Sequence, residues 1–397
     1  MEYELKLEKS ARSPRHFDDR ITLRSKKKSP LKNIMFSPKS PKSIDKTTLI
    51  DPTLFQSNII CPTLLVNPLI RSQVRRRMPN QPFSTIQIDD VDTILTDYLY
   101  CPMDWSYLSH DIIGLALDTK VIFINPNQAT KSTFHCYSAD AISLRFNYDG
   151  RKIALGSLLG TVRLFDVETE DPICNCNKDD SATYSIDSES KHDVFLSAHS
   201  NGVFVITDFR AKNNESILKK IDTRCIRAVF SPDETKIAVS HGGKSVSIFD
   251  IRNLENPIVT NQSHASLVHS ISWSPRDPNL IATAGGQYDQ SIKIWNTQTG
   301  QIQKEVNVGA QICNMFWSKT DNEIITTQGY PTNYSSVMVW NESDLKLTGS
   351  IKGHNDRVIY AAISPNQTTL ATVTERDPLQ LWDLKQKINN GKQQILR

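Results

Sequence analysis

The sequence lacks any long apolar segment, and its N-terminus lacks the short apolar core of a secretory signal. No apolar run approaches the roughly 18 residues that a membrane-spanning helix requires. We therefore expect a chain that is neither secreted nor membrane-spanning and that has no membrane partner.

Cysteine is scarce and forms no obvious pairing pattern. The seven cysteines are odd in number and scattered, and most lie inside apolar runs, as reduced intracellular thiols do. Only Cys174 and Cys176 lie close together, and no second Cys or His pair stands at zinc-binding spacing. The sequence also contains no nucleophile–base motif and no phosphate-binding loop. We expect no metal site, no cofactor and no catalytic residue, so the chain is not predicted to be an enzyme.

The formal net charge of +3 hides an uneven distribution. Residues 1–88 contain 17 Lys and Arg against 7 Asp and Glu, whereas the remainder contains 29 against 36. A basic arm is therefore joined to a mildly acidic body. With 397 residues, the chain is long enough to bury the core of one large β domain or two ordinary domains.

From residue 110 onward a phrase recurs in which alternating apolar residues precede an aromatic residue, or a substitute, and then Asp or Asn. The seven copies are VIFIN, VRLFD, VFVITD, VSIFD, IKIWN, VMVWN and LQLWD. Their penultimate residues stand 41, 42, 42, 46, 45 and 42 residues apart: Ile124, Phe165, Thr207, Phe249, Trp295, Trp340 and Trp382. A period in the low forties with strand-like alternation is typical of four-stranded WD40 blades. We predict an all-β fold, a seven-bladed WD40 β-propeller.

Two further features fit this repeat. His264 and Asp289 occupy the His and Asp places of the fifth repeat, so we expect them to form a buried structural hydrogen bond. The last blade lacks an outer strand of its own, and the alternating segment FSTIQIDD (83–90) is predicted to supply it and close the ring. The predicted organisation is an arm at 1–82, a propeller at 83–385 and a short tail at 386–397.

The arm is rich in Ser, Pro, Lys and Arg and poor in aromatic residues, a composition typical of disorder. Ser29, Ser37 and Ser40 each precede a proline, and Ser29-Pro-Leu-Lys fits a cyclin-dependent-kinase-type site. A phosphate there would cancel local positive charge. The basic clusters at 24–28 and 75–77 indicate a solvated tail, nuclear import or an acidic partner, of which nuclear import is favoured. They favour no nucleic-acid partner, because aromatic residues are not interleaved and the body is acidic.

Longer segments resemble a known family. GAQICNMFWSKTDNEIITTQGYP, followed by IKGHNDRVIYAAISPNQTTLAT, is similar to the sixth and seventh blades of the Fizzy/Fizzy-related proteins. These proteins are substrate-recruiting activators of the anaphase-promoting complex (cyclosome), a ubiquitin ligase. DYLYCPMDWS resembles the start of the family's first blade, and PFSTIQIDD resembles the closing strand before it. The resemblance covers roughly residues 80–385 and is densest at 305–373.

The resemblance implies that both ends of the chain dock on the ligase. The family's C box is Asp-Arg-aromatic-Ile-Pro-x-Arg, and DDRITLRS is one residue shorter and lacks the aromatic residue and the proline. The matching residues are Asp19, Arg20, Ile21 and Arg24. Family members end in Ile-Arg, which enters a groove in a tetratricopeptide subunit. The corresponding residues here are Ile395, Leu396 and Arg397.

The resemblance also implies a site for the destruction-box degron, Arg-x-x-Leu, between the first and seventh blades. Asp104 matches the family's blade-one acid, and Asp377 matches its blade-seven acid. Two carboxylates would hold the degron arginine, and Met103 would line the leucine pocket. Other roles remain open: Asp104 would alternatively bond a backbone amide, and Asp377 would serve His354 or pair with Arg376.

A second family site, on one face of the propeller, takes the Lys-Glu-Asn degron. Gln311 and Arg357 match two of its contact residues, and Gln287 stands at another contact position, where a small hydroxyl residue is usual. The fourth blade departs from the family pattern, because Gly242 and Lys244 stand where asparagines are usual. Lys244 would repel the degron lysine, so we expect this site to be altered.

These observations predict a non-catalytic adaptor that recruits cyclins, securin and other degron-bearing proteins to the ligase. We expect a monomer within the complex, located in nucleus and cytoplasm. The loosened C box and missing asparagines favour a specialised, meiosis-specific member. The alternatives are a WD40 scaffold without ligase activation and a divergent member that occupies the ligase without delivering substrates.

Overall fold

The structure is a computed structural model. It describes residues 78–88, 99–106, 111–136, 141–177, 181–210, 216–331 and 336–385. These residues belong to the compact unit Ser72–Arg397 and contain strands and turns but no helix. They form seven antiparallel sheets of four strands each, which confirms the predicted seven-bladed propeller. The described chain begins earlier than the predicted boundary at 83, since Met78 is already buried beside Trp382 and Leu384.

Every blade has the same strand order from the inside of the ring outward. The first, innermost strands are β2 (Met103–Trp105), β6 (Ala141–Phe146), β10 (Thr183–Ser188), β14 (Cys225–Phe230), β18 (Val268–Trp273), β22 (Ile312–Trp317) and β26 (Val358–Ile363). The second strands are β3 (Ile113–Leu117), β7 (Lys152–Ser157), β11 (Val194–His199), β15 (Lys236–His241), β19 (Leu280–Gly285), β23 (Glu323–Gln328) and β27 (Thr369–Thr374). The third strands are β4 (Lys120–Asn125), β8 (Thr161–Asp166), β12 (Val203–Asp208), β16 (Ser245–Asp250), β20 (Ser291–Asn296), β24 (Ser336–Asn341) and β28 (Leu379–Asp383). The outer strands are β5 (Thr130–His135), β9 (Pro172–Asn177), β13 (Ser216–Lys220), β17 (Val259–Asn261), β21 (Ile302–Asn307), β25 (Leu347–Lys352) and, from the chain's start, β1 (Ser84–Ile86).

Each of the seven recurring phrases forms the third strand of its blade, at the spacing that the sequence predicts. In outer strands such as β5 and β21 most residues are exposed and few are buried, because one edge of each of these strands faces solvent. The third strands are buried over most of their length and form the core between neighbouring blades. Large side chains such as Trp295 and Trp382 are fully buried there, and each such burial contributes about 1.5–3 kcal/mol.

Turn residues fix where the strands reverse. In the third blade Gly202 has φ +86°, and an added Cβ would lie 2.2 Å from the carbonyl oxygen of Ile221. Only glycine fits this position without strain. The Asn201-Gly202 turn therefore sets the register of β11 and β12, in which Ala198 lies opposite Phe204.

The ring closes as the sequence predicts. The strand β1 pairs antiparallel with β28, with Ser84 opposite Leu381 and Ile86 opposite Leu379. The first strands contact each other around the whole ring, including β2 of the first blade with β26 of the seventh. The first and last strands of the propeller therefore pair within the seventh blade, and the first and seventh blades are in contact.

Candidate functional site: the central channel and the upper face

The first strands line a central channel with a cavity of about 270 Å³. Successive strands within each blade run in opposite directions. The turns between second and third strands therefore emerge on the same side as the segments that lead into each first strand. We call this side the upper face. The channel and the upper face contain every predicted degron-binding residue, and they are the candidate functional site.

Asp104 lies in β2 and faces the channel, and its carboxylate is already paired within the protein. Its Oδ1 lies 3.2 Å from a guanidinium nitrogen of Arg145 in the second blade. A second nitrogen of Arg145 lies 3.1 Å from Asp187 in the third blade. Burial raises the pKa of Asp104, and Arg145 is the largest influence that opposes this rise. Asp104 is therefore already paired within the protein, and its predicted contact with a degron arginine stays a prediction.

Asp104 also performs the backbone role that the sequence left open. Its Oδ2 accepts a hydrogen bond of 3.0 Å from the backbone N–H of Phe146 in the next blade. Asp187 accepts the N–H of Phe230 in the same way at 2.9 Å. Such bonds link the first strands of two neighbouring blades, and this explains a carboxylate inside an apolar strand.

Ser272 forms the same tie farther around the ring. Its Oγ accepts the N–H of Trp317 at 3.0 Å, between the fifth and sixth blades. A side-chain oxygen of one first strand thus accepts a backbone N–H of the next first strand at three junctions, between blades one and two, three and four, and five and six.

Met103 lies at the junction of the first and seventh blades. It is 9% exposed and packs in a cluster with Tyr360, Leu379 and Leu381 of the seventh blade. The structure thus brings Met103 to the predicted seam. Asp104 is the next residue in the strand, and its contacts run to the second blade on the other side.

Asp377 lies in the turn between β27 and β28, where it completes a structural network. Its Oδ2 is 3.7 Å from Nδ1 of His354 and accepts the N–H of Asn355 at 3.2 Å. His354 Nε2 lies 2.9 Å from Thr372 Oγ1, which also accepts the indole N–H of Trp382 at 2.8 Å. Asp377 therefore lies beside His354, as one of the alternatives predicts, but the two side chains form no hydrogen bond, and the carboxylate bonds the backbone of Asn355 instead. The side chain of Asp377 is still 17% exposed, and its Oδ1 makes no hydrogen bond or ion pair with the described residues.

The predicted pair in the fifth blade is confirmed. His264 Nδ1 lies 3.1 Å from Asp289 Oδ2, and both side chains are at most 3% exposed. His264 Nε2 lies 2.7 Å from Thr283, which also accepts the indole N–H of Trp295. Burial opposes ionisation of Asp289, but hydrogen bonds from His264 and Ser291 outweigh it and hold its pKa below the usual range.

The three residues predicted for the second degron site all lie on the upper face. Gln287 is exposed in a turn of the fifth blade. Gln311 is 2% exposed, and its side-chain oxygen accepts the N–H of Tyr330 at 3.4 Å. The guanidinium of Arg357 pairs with Glu375 and lies 4.8 Å from the ring centre of Tyr330. The structure thus brings these residues to one face, but Gln311 and Arg357 are already engaged within the protein.

Lys244 is exposed on the same face, directly after the turn formed by Gly242 and Gly243. Both glycines have positive φ, +59° and +88°. The departure of the fourth blade from the family pattern therefore lies on the surface, where it would meet a ligand.

Sequence reasoning missed the ionic contacts across the channel. Arg145 takes the same strand position as Asp104 and Asp187. Aligning the sequences of the seven first strands would have shown that acid, base and acid follow one another at this position in the first three blades. A second missed contact involves Cys101, whose Sγ contacts the guanidinium of Arg227 and lies 3.6 Å from His269 Nε2. The segment before β2 therefore lies across the channel and touches the fourth and fifth blades.

Several predictions fall outside the described residues. They concern the C-box residues Asp19, Arg20, Ile21 and Arg24, the serines Ser29, Ser37 and Ser40, and the terminal Ile395, Leu396 and Arg397. Within the described ranges no group of three or more His, Cys, Asp or Glu side chains is placed to hold a metal ion. A search of the same ranges found no helix that could span a membrane.

The seven sheets and the repeated Trp-Thr-His-Asp network define the class of the protein, a WD40 β-propeller. Residues 90–382 match the family model described as the CDC20/Fizzy WD40 domain. Because this match covers most of the chain, the protein belongs to the CDC20/Fizzy family.

Relatives in the comparison are similar over the same part of the chain. The protein is 28% identical over 314 residues to "WD repeat-containing protein srw1" of Schizosaccharomyces pombe, which covers 78% of this chain and 54% of the relative. It is 28% identical over 321 residues to "Anaphase-promoting complex subunit cdc20" of Dictyostelium discoideum, covering 79% and 62%. The chain thus spans little more than half of the length of these relatives.

A solved structure shares the fold. It is a chain of the "Crystal Structure of Mitotic Checkpoint Complex", with a TM-score of 0.72 and 25% identity, covering 78% of this chain and 98% of that chain. The similarity therefore extends over nearly all of the solved chain.

Proposed function

We propose that this protein is a substrate-recruiting activator of the anaphase-promoting complex (cyclosome). The observation that carries the proposal is the family match over residues 90–382, which covers most of the propeller. A relative that is named a subunit of this complex supports the partner. The protein acts by proximity: the propeller holds a degron, and other subunits of the ligase supply ubiquitin. Tethering of this kind raises the effective concentration of the substrate at the catalytic subunits.

Destruction-box peptides bind, in this proposal, at the seam of the first and seventh blades. Asp377 is the carboxylate with unused capacity there, since only Oδ2 is bonded within the protein and the side chain is partly exposed. Met103, which is 9% exposed, is the apolar side chain that the degron leucine would contact, and Leu379 and Leu381 are fully buried in the cluster around it. Asp104 contributes by holding the first blade to the second, because a degron arginine would have to displace Arg145 to reach it.

The ends of the chain dock on the ligase in the same proposal. The resemblance of Asp19, Arg20, Ile21 and Arg24 to a C box supports a contact of the arm. The terminal Arg397, with its α-carboxylate, is suited to a charge-assisted contact in a tetratricopeptide groove. Phosphorylation of Ser29, Ser37 and Ser40 would weaken electrostatic contacts of the arm. The protein works in nucleus and cytoplasm, and the altered C box favours a meiotic role.

Two measurements test the proposal. Full-length protein lacking Ile395–Arg397 should lose most co-purification with the ligase, and unchanged co-purification would favour a WD40 scaffold instead. A ubiquitination assay with a destruction-box cyclin fragment should then give product that depends on added protein. Ligase binding without product would assign the protein as a member that occupies the complex and delivers nothing.

A further inference from the structure

Three turns of the fourth and fifth blades form a continuous corner of the upper face. The backbone N–H of Gly242 donates to the carbonyl of Arg224 at 3.1 Å, which joins the first two turns. Val268 N–H donates to the carbonyl of Gly243 at 2.8 Å, and Gly286 N–H donates to Leu267 at 2.7 Å. The segments 242–244 and 286–290 therefore flank the loop 262–267, and the segment 221–224 lies next to 242–244. We call this surface the blade-4/5 corner.

The blade-4/5 corner presents two cations. Arg224 and Lys244 are both exposed, and among the described residues neither has a carboxylate within ion-pair distance. The carboxylates of the same three turns are Asp222, which is exposed, and Asp289, which is buried and used by His264. The accessible charge of this corner is therefore positive.

The rest of the upper face differs in this respect. In the seventh blade Arg357 pairs with Glu375, and Arg376 lies 3.8 Å from Asp356. These cations are balanced within the protein, and they attract an anionic ligand less than Arg224 and Lys244 do.

Aromatic and open surface lies beside these two cations. Tyr288 is 83% exposed, the most exposed large hydrophobic side chain of the described residues, and Gln287 next to it is exposed too. A Cβ added at Gly243 would meet nothing within 4 Å, so a ligand backbone has room to approach this turn. Exposed aromatic residues next to arginine are enriched where proteins bind peptides.

We propose that the blade-4/5 corner binds an acidic segment of a protein, with Arg224 and Lys244 on carboxylates and Tyr288 on a neighbouring side chain. The proposal rests on the proposed function, since it names acidic segments as a substrate class that the propeller recognises. It assigns to the fourth blade a preference opposite in sign to that of a site for a lysine-containing degron.

Binding of a short acidic peptide to the full-length protein tests this assignment. The probe is fluorescein-labelled Gly-Ser-Glu-Glu-Leu-Glu-Glu-Gly-Ser with a photo-cross-linking group, and the controls replace Glu by Gln or by phosphoserine. The double variant Arg224→Glu, Lys244→Glu should bind the Glu peptide at least fivefold more weakly. The control variant Arg376→Glu, also exposed on the upper face, should bind within twofold of the parent protein.

Mapping the cross-links separates this corner from the basic arm, which attracts any anion. Cross-links within 221–224, 241–244, 262–267 or 286–290 support the proposal. Cross-links confined to residues 1–77, unchanged binding by the double variant, or binding of the phosphoserine peptide alone would overturn it. Ubiquitination of the destruction-box fragment by the double variant is measured in parallel. It should persist, so a failure of this proposal is distinguishable from a failure of the proposed function.

Discussion

The fifth and seventh blades each contain a network of Trp, Thr, His and Asp side chains. The two networks differ in the His–Asp distance and in the exposure of the carboxylate. In the fifth blade the His264–Asp289 distance is 3.1 Å, and the carboxylate is 3% exposed. In the seventh blade the His354–Asp377 distance is 3.7 Å, and the carboxylate is 17% exposed. The cause is one residue of spacing: Asp289 stands six residues before its tryptophan, and Asp377 stands five before Trp382.

Each network contains one group whose pKa is shifted. In the fifth blade hydrogen bonds hold the pKa of Asp289 below its usual value. In the seventh blade burial lowers the pKa of His354 to about 4, and Asp377 only partly opposes this. In the seventh blade His354 is therefore neutral at pH 7, and one oxygen of Asp377 can accept a hydrogen bond from another partner.

Removing each carboxylate should show the largest difference between the blades. Asp289→Ala leaves several buried donors unpaired, and we expect it to lower the free energy of unfolding by about 3 kcal/mol. Asp377→Ala loses a longer contact and one backbone bond, and we expect a loss of about 1 kcal/mol. Urea denaturation of both variants measures this, and equal losses would contradict the comparison.

Acidification should destabilise the protein through the seventh blade. The folded pKa of His354, about 4, lies below its ordinary value of 6.5, so the unfolded chain binds more protons between these values. Stability should therefore fall as the pH drops from 6.5 towards 4, by roughly 2 kcal/mol at pH 5. Buried His269, with its pKa lowered to about 3, acts in the same direction.

The variant His354→Gln isolates the contribution of this histidine. Its free energy of unfolding should decrease less steeply between pH 7 and pH 5 than that of the parent protein. An unchanged slope in urea denaturation at several pH values would show that His354 is not the responsible group.

Replacing Asp377 by a neutral residue should weaken degron binding more than it lowers the free energy of unfolding. We expect Asp377→Asn to weaken destruction-box binding about tenfold, or roughly 1.4 kcal/mol, because the amide cannot pair with an incoming arginine. Fluorescence anisotropy with a labelled destruction-box peptide measures this. The matched variant Asp289→Asn should leave peptide affinity unchanged in protein that remains folded, and a similar loss in both would indicate a general folding defect.

Lengthening the turn should make the seventh blade resemble the fifth. Inserting one Gln between Asp377 and Pro378 gives the carboxylate the spacing of Asp289. We expect a gain of about 0.5 kcal/mol in the free energy of unfolding, together with weaker degron binding. Denaturation and anisotropy on the same sample test both, and a gain in affinity would contradict the assignment of Asp377.

Most of the fold could be predicted from spacing and alternation. The seven third strands, the closing role of Ser84–Ile86 and the His264–Asp289 pair all follow from residues in phase with the repeat. The partner of Asp104 did not follow, because Arg145 lies 41 residues away and the contact depends on how neighbouring first strands face each other. The role of Asp377 depended on turn length, and the spacing alone allowed two interpretations.

Ring closure by β1 has a consequence for biosynthesis. The three residues Ser84–Ile86 leave the ribosome before the other described strands of the propeller, whereas their partner β28 leaves after all of them. During most of translation the nascent chain thus has exposed strand edges at both ends, and such edges favour association with other chains. A chain truncated before Leu379 would never complete its last blade, so premature termination should yield aggregates rather than a smaller stable ring.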